Sequence, residues 1–267
     1  MKKLLGLAVA LVAILILVGC EGGVTLEAPD VTWTVPDADE GAVLSLSWDA
    51  VEDADGYIIY ADDDSIDEVT AAPWEYDADV PAAVYGVSAY SGDDESDITE
   101  VDCAPVVTTN ITVYGNSDPD PAHPSGIGFT AAGNCLTLAI SDPTTWPDID
   151  FYFNDTNPTQ GLIDLVSPGD HLPPYNTEEN ASANTGETDF ASVVIADAPG
   201  AYSTQTELLE NAVYSLWIDP DADGWDAEND HFGKMKVESI TGAAAPYTVV
   251  ITCAYQLIEG LRWVVTE

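Results

Sequence analysis

The sequence predicts a mostly-β protein built from two sandwich-like domains. Short runs alternate apolar and polar residues with a period of two, as in Val43-Leu44-Ser45-Leu46-Ser47-Trp48 and Val84-Tyr85-Gly86-Val87-Ser88-Ala89-Tyr90. That alternation turns one face of a strand to a core and the other to water. Clusters of Asp, Gly and Pro punctuate these runs at short intervals, the pattern of antiparallel strands joined by turns. A complete strand series lies on each side of Cys103-Ala104-Pro105, and the length fits one or two domains.

The first nineteen residues read as a leader. Met1-Lys2-Lys3 is a short basic segment and Leu4 to Val18 is an apolar run. A spanning helix needs about 20 residues, so this run fits a signal-peptide core better than an anchor helix. Leu17-Val18-Gly19-Cys20 follows and resembles the lipobox of bacterial lipoproteins. That resemblance implies cleavage before Cys20, lipidation of its thiol and attachment to the membrane through acyl chains. Each buried methylene contributes about 0.8 kcal/mol, so two or three chains hold stably where one does not. Residues 20–23 would then be a brief lipidated tether. The expected location is the cell envelope: outer membrane, cell surface or the outer face of the inner membrane.

Residues 24–103 form the first predicted domain. The alternating run ending at Trp48 is followed by Gly56-Tyr57-Ile58-Ile59-Tyr60 and then by the run through Tyr90. Trp48, the pair Tyr57 and Tyr60, and the series Tyr85, Val87 and Ala89 together resemble the recurring positions of a fibronectin type III domain. The resemblance implies a core role for these aromatic residues, each able to bury about 150–250 Å². Trp33 and Trp74, surrounded by acids and prolines, are the expected exposed indoles. A fold of this kind carries no chemistry by itself, so the domain reads as a spacer or interaction unit.

Residues 106–267 form the second. Strand-like runs begin at Thr109-Asn110-Ile111-Thr112-Val113-Tyr114, continue through Gly126-Ile127-Gly128-Phe129, Leu136 to Ile140 and Ile149 to Phe153, and resume at Ala212–Ile218, Gly233–Ile240 and Tyr247–Gln256. The middle is loop-rich, with a short helix expected over Thr204 to Asn211. Asp150-Phe151-Tyr152-Phe153, Phe232-Gly233-Lys234-Met235-Lys236-Val237, Tyr255-Gln256 and Gly260-Leu261-Arg262 loosely resemble surface lipoprotein domains of the HmuY-like group. Some members of that group bind haem, but no haem-ligand pattern carries over to His123, His171 or His231. Three cysteines remain after Cys20, namely Cys103, Cys135 and Cys253. Export permits a disulfide, and the sequence leaves the pairing open.

The sharpest local motif runs from Asp219 to Asp230. Carboxylates at its first, third and fifth positions (Asp219, Asp221, Asp223), glycine at the sixth (Gly224) and Asp230 at the twelfth match the spacing of a calcium loop. Trp225 would supply a backbone carbonyl. Asp230 is shorter than the usual bidentate Glu, and no helix pair flanks the loop, so a solvated acidic turn competes with the calcium reading.

Charge shapes the rest. The formal net charge is −43, with 48 acidic residues against five lysines and arginines. No lysine or arginine lies between Lys3 and Lys234. Such a surface repels nucleic acid and anionic headgroups. Three explanations arise: adaptation to high salt, where screening shortens to about 3 Å at 1 M; cation capture; or disorder. The 46% hydrophobic content, seven Trp and twelve Tyr argue for a folded chain, and the even spread of acids argues for salt adaptation. No nucleophile elbow, HExxH or phosphate loop occurs, so no catalytic residue is assigned. The expected function is a non-catalytic binding, adhesion or assembly module with an envelope-protein or glycan partner. The alternatives are capture of haem or a glycan by the second domain, and a carbohydrate-active enzyme fragment.

Overall fold

The computed structural model describes residues 25–76, 80–159, 161–170, 176 and 178–266. The leader, Cys20, the tether and His171 lie outside the described residues. The fold is mostly β, in several antiparallel sheets that form two cores. In the first half, β1 (Thr32–Thr34), β2 (Leu44–Ser47) and β5 (Trp74–Tyr76) make a three-stranded sheet in the order β1-β2-β5. Opposite it, β3 (Gly56–Ala61), β4 (Asp64–Val69), β6 (Val84–Ser91) and β7 (Asp94–Glu95) run in the order β4-β3-β6-β7, and β8 (Thr99–Asp102) also pairs with β6.

In the second half, β10 (Gly126–Phe129), β11 (Cys135–Leu138), β12 (Phe151–Asn154), β13 (Asp164–Val166) and β15 (Gln205–Glu207) form one sheet, ordered β11-β10-β12-β13-β15. The other contains β9 (Val106–Tyr114), β14 (Ala181–Asn184), β16 (Val213–Ile218), β17 (His231–Thr241) and β18 (Thr248–Tyr255), ordered β14-β16-β17-β18-β9.

Alternation places the first core as the sequence predicts. Leu44, Leu46 and Trp48 point inward with Tyr57, Ile59, Tyr85, Val87 and Ala89. The Trp48 and Tyr57 rings lie 5.1 Å apart. Tyr60 departs from its expected core role. It is half-buried, and its hydroxyl donates to Glu95 Oε1 at 2.6 Å, because it alternates to the opposite face from Tyr57 and Ile59. Trp33 is exposed as expected, but Trp74 is buried. Trp74 faces the core across from Leu46, stacks on Tyr76 at 5.2 Å, and its indole N–H donates to Asp67.

The helix expected over Thr204 to Asn211 is instead strand β15 and a turn. The backbone of β15 pairs with β13, Leu208 enters the core, and Asn211 at φ 64° closes the turn before β16. Tertiary pairing has overridden local helix preference. Helical structure among the described residues consists of three-residue 3-10 turns.

The chain does not end within the second core. After β18, the segment Gln256–Trp263 crosses back and places Ile258, Leu261 and Trp263 in the core of the first sandwich. Trp263 is fully buried, with ring centroids 5.4 Å from Tyr85 and 6.0 Å from Tyr76. Its indole N–H donates to Ala42 O at 3.0 Å. Gln256 sits at the crossing point, its amide nitrogen donating to Cys103 O at 2.8 Å and to Trp263 O at 2.7 Å.

Truncating a buried Trp to Ala destabilises by about 3–5 kcal/mol through lost burial and the cavity left behind. Trp263→Ala is therefore expected to lower the stability of the whole chain by that amount. Urea unfolding followed separately by a first-domain and a second-domain probe should give one coincident transition in the wild type, displaced together in the variant.

Candidate cation site at the domain junction

Strand β16 ends at Ile218 and β17 begins at His231, so the acidic motif is the connection between two neighbouring antiparallel strands. Its root is fixed first. The Asp219 backbone N–H donates to Asn180 Oδ1 at 2.8 Å, and Asn180 is itself buried. The Asp219 carboxylate then folds the loop onto itself, accepting from Ala222 N at 2.7 Å and from Gly224 N at 3.2 Å. Ala222 (φ 58°) and Gly224 (φ 95°) both occupy the left-handed region. This is the sharp turn for which the sequence placed glycine at the sixth position.

The turn brings the carboxylates of Asp219, Asp221 and Asp223 together, each with an oxygen within 4.8 Å of the others. Asp219 is buried, whereas Asp221 and Asp223 are exposed. The crowding is visible in their acidities. Burial, helped by Asp221, raises Asp219 above the usual carboxylate range. The charge of Asp221 is the main cause raising Asp223. Like charges held this closely destabilise one another, and a divalent cation with oxygen ligands would reverse the sign of that interaction.

The remaining motif residues do different work. Asp230 is buried within the end of the loop, where its Oδ2 accepts from Asp226 N at 2.9 Å. Burial pushes its carboxyl up to about 7. The carboxylate oxygens that converge are those of Asp219, Asp221 and Asp223; Asp230 stands apart from them as the group that closes the loop. Trp225 contributes a side chain: its ring packs 5.6 Å from Phe232, and its indole N–H reaches Asp37 O of the first sandwich at 3.4 Å. A Cβ added at Gly41 would meet Gly260 O, the Arg262 stem and this Trp225 ring, and one added at Gly260 would strike Ala227. The loop, the Gly41 turn and the returning C-terminal segment therefore form one tightly packed junction.

Two of the chain's few basic residues lie at or near this junction, Lys234 in the interior and Arg262 half-buried. Lys234 is fully buried. Its ammonium donates to Phe190 O, Val193 O and Thr266 Oγ1 at 2.7–2.8 Å and sits 4.3 Å from the Phe190 ring centre. Burial lowers its pKa to about 8. Arg262 donates from Nε to Glu40 O at 2.6 Å and from Nη1 to Ala196 O at 2.7 Å. Both cations bind carbonyls rather than carboxylates.

A further acid pair lies behind Asp219. Asp150 is raised well above the carboxylate range, by burial first and by the charge of Glu178 second. Glu178 is raised chiefly by burial. Asn180 holds the two in register, donating from Nδ2 to Asp150 O and to Glu178 Oε2. The sequence names Asp150 only within the strand-like run Ile149 to Phe153 and gives it no role, and Asn180 and Glu178 lie in a loop-rich stretch where nothing local distinguishes them.

The histidines are engaged elsewhere. His123 Nδ1 lies 2.8 Å from Asp118, with its ring stacked 3.9 Å from Tyr114. His231 stacks on Tyr255 and faces Gln256 O. Between the domains, beside the acidic loop, an open cleft of about 720 Å³ is lined by Trp33, Glu75, Glu228, Asn229 and Glu259, among others.

No protein-family model matches the chain, and no curated protein sequence does. Among solved structures, a DUF4466 family protein from Parabacteroides merdae is similar, with 11% identity and a TM-score of 0.39 over 87% of this chain and all of that one. Similarity at that level transfers neither fold nor function.

A carboxyl raised by folding binds its proton more tightly in the native state, so its contribution is complete below the unfolded value near 4. It is lost as pH rises through the folded value. Asp230, Asp150, Glu178, Asp219 and Asp223 all act in this direction. At constant ionic strength and without divalent metal, the melting temperature should fall between pH 4.5 and 7.5. Asp230→Asn, which keeps an acceptor for Asp226 N, should flatten that fall.

Proposed function

We propose that this protein is a lipid-anchored, non-catalytic module of the cell envelope that holds a binding, adhesion or assembly surface in fixed geometry outside a membrane. The observation that carries the reading is the junction. The C-terminal segment, the Gly41 turn and the acidic loop pack the two sandwiches against each other, which suits a rigid display element. The strand order of the first sandwich, three strands facing a sheet centred on β3 and β6, supports the fibronectin type III resemblance and with it a spacer or interaction role. The anchor rests on the Leu17-Val18-Gly19-Cys20 motif. Replacing Cys20 with Ala should abolish fatty-acid labelling in an expressing bacterium and move the protein from the membrane to the soluble fraction. Equal labelling of both forms would remove the anchor.

The acidic surface is read as adaptation to concentrated salt. Acids lie exposed on both sandwiches, whereas Lys234 is buried and Arg262 half-buried. Dilution lengthens the screening distance from about 3 Å at 1 M to about 10 Å at 0.1 M, which restores repulsion between exposed carboxylates.

The loop at Asp219, Asp221 and Asp223 is read as a calcium site that stiffens the junction. A ligand at 100 times its dissociation constant stabilises the native state by about 2.7 kcal/mol, which is on the order of 5–10 °C for a chain this size. Calcium added to chelated protein should raise the melting temperature by that amount. Asp221→Asn and Asp223→Asn, both at exposed positions, should remove the rise while leaving the metal-free melting temperature unchanged or slightly higher.

A glycan partner is the second reading, supported by the interdomain cleft with its exposed Trp33 and its carboxylate and amide lining. A glycan array with Trp33→Ala as the control tests it. The haem version has less support, because His123 and His231 are already held by neighbours. A titration without a Soret shift would exclude it.

A further inference from the structure

The three cysteines of the described residues are free and buried, but they are not equivalent. Cys103 lies in the first core, its thiol directed at Val101 O. Cys135 and Cys253 share the second core, and they reach it from opposite sheets. Cys135 opens β11, the edge strand of one sheet, and Cys253 lies in β18 of the other. Both flank the same residue. Cys253 is directly opposite Thr108 in the β18–β9 register, and the Cys135 backbone N–H donates to Thr108 Oγ1 at 3.1 Å. The two thiols lie in hydrogen-bonding contact, and burial together with this contact holds the pKa of the Cys253 thiol well above its ordinary value.

We propose that Cys135 and Cys253 are a redox-active pair that closes into a disulfide joining the two sheets of the second sandwich, with Cys103 left as the unpaired thiol. The position is well chosen for a cross-link. Among the described residues β11 is the edge strand of its sheet, paired there with β10. Leu136 beside Cys135 is half-exposed, so a bond from Cys135 to β18 would reinforce an edge that otherwise meets the facing sheet through Thr108. The oxidant is an external disulfide. One cysteine thiolate attacks it, forming a mixed disulfide and releasing one thiol. The second cysteine thiolate then displaces the other, so that two protein S–H bonds and one external S–S bond become one protein S–S bond and two external thiols. The buried, weakly acidic thiols react slowly in the closed sandwich, because the thiolate is the attacking species. Exchange is therefore expected during folding or when β11 opens at its edge.

The test uses the full chain without substitution. Reduced protein is unfolded in urea, refolded with oxidised and reduced glutathione, and returned to urea, where its free thiols are blocked with one maleimide and its intact mass is recorded. It is then reduced, labelled with a second maleimide, digested with an aspartate-specific protease, which separates Cys103 from Cys135, and mapped by mass spectrometry. The scarcity of Lys and Arg rules out trypsin for this purpose. The expected result is the second label on Cys135 and Cys253 and the first on Cys103. The oxidised form should also melt higher than the reduced form, on the order of 10 °C for a cross-link closing so long a loop. First label on all three cysteines, glutathione retained on Cys135 or Cys253, or pairing with Cys103 would each overturn the proposal. An unchanged melting temperature would overturn the claim that the bond secures the sandwich.

Discussion

Where β18 ends, the chain has already completed its own sheet, and Gln256 turns it back toward the other domain. Its amide bonds both Cys103 O, at the start of the interdomain connection, and Trp263 O, at the far end of the returning segment. From there Ile258, Leu261 and Trp263 enter a core otherwise built by residues more than 150 positions earlier. An indole of this size buries about 150–250 Å², worth roughly 4–6 kcal/mol at 25 cal/mol per Å². That is comparable to the whole stability margin of a small domain. The rest of the junction follows from this insertion: the Gly41 turn must accommodate Gly260, and the acidic loop packs over both.

The same constraint explains where the rare cations are. Folding the C-terminal segment against two sandwiches leaves carbonyl groups that lie outside any strand ladder. Lys234 takes Phe190 O and Val193 O, and Arg262 takes Glu40 O and Ala196 O. Buried unpaired acceptors are strongly destabilising, so the Val193 carbonyl in particular needs a donor, and Lys234 supplies it. Lys236, half-buried and 3.5 Å from Glu238, is the lysine among the described residues that faces an acid in the ordinary way. Net charge is thus a property of the surface, and the few positive groups are structural.

Much of this architecture was legible in the sequence, and the reasons are specific. Leu44, Leu46 and Trp48 alternate strictly, so their common face could be read without coordinates. Gly224 marked the turn that gathers Asp219, Asp221 and Asp223. What escaped were contacts between residues distant in the chain. Trp74 looked solvated among acids and prolines, yet its pairing opposite Leu46 buries it. The Thr204 to Asn211 segment carries helix formers, but pairing with β13 decided its conformation. Asn180 and Glu178 have no local pattern, and their coupling to Asp150 exists only once two sheets are stacked. Trp263 lies in a run with no periodic partner, and its partners, Tyr76 and Tyr85, belong to the other domain.

The central claim is that the segment after β18 holds the first sandwich together from outside its own sequence. Amide hydrogen exchange of the chain truncated after Tyr255 tests it most directly, read at Leu44–Ser47 and Val84–Ser91. The account predicts that protection at both strands collapses toward that of an opened domain, while β16 and β17 keep theirs. Full-length protection at Leu44–Ser47 and Val84–Ser91 in the truncated chain would contradict it.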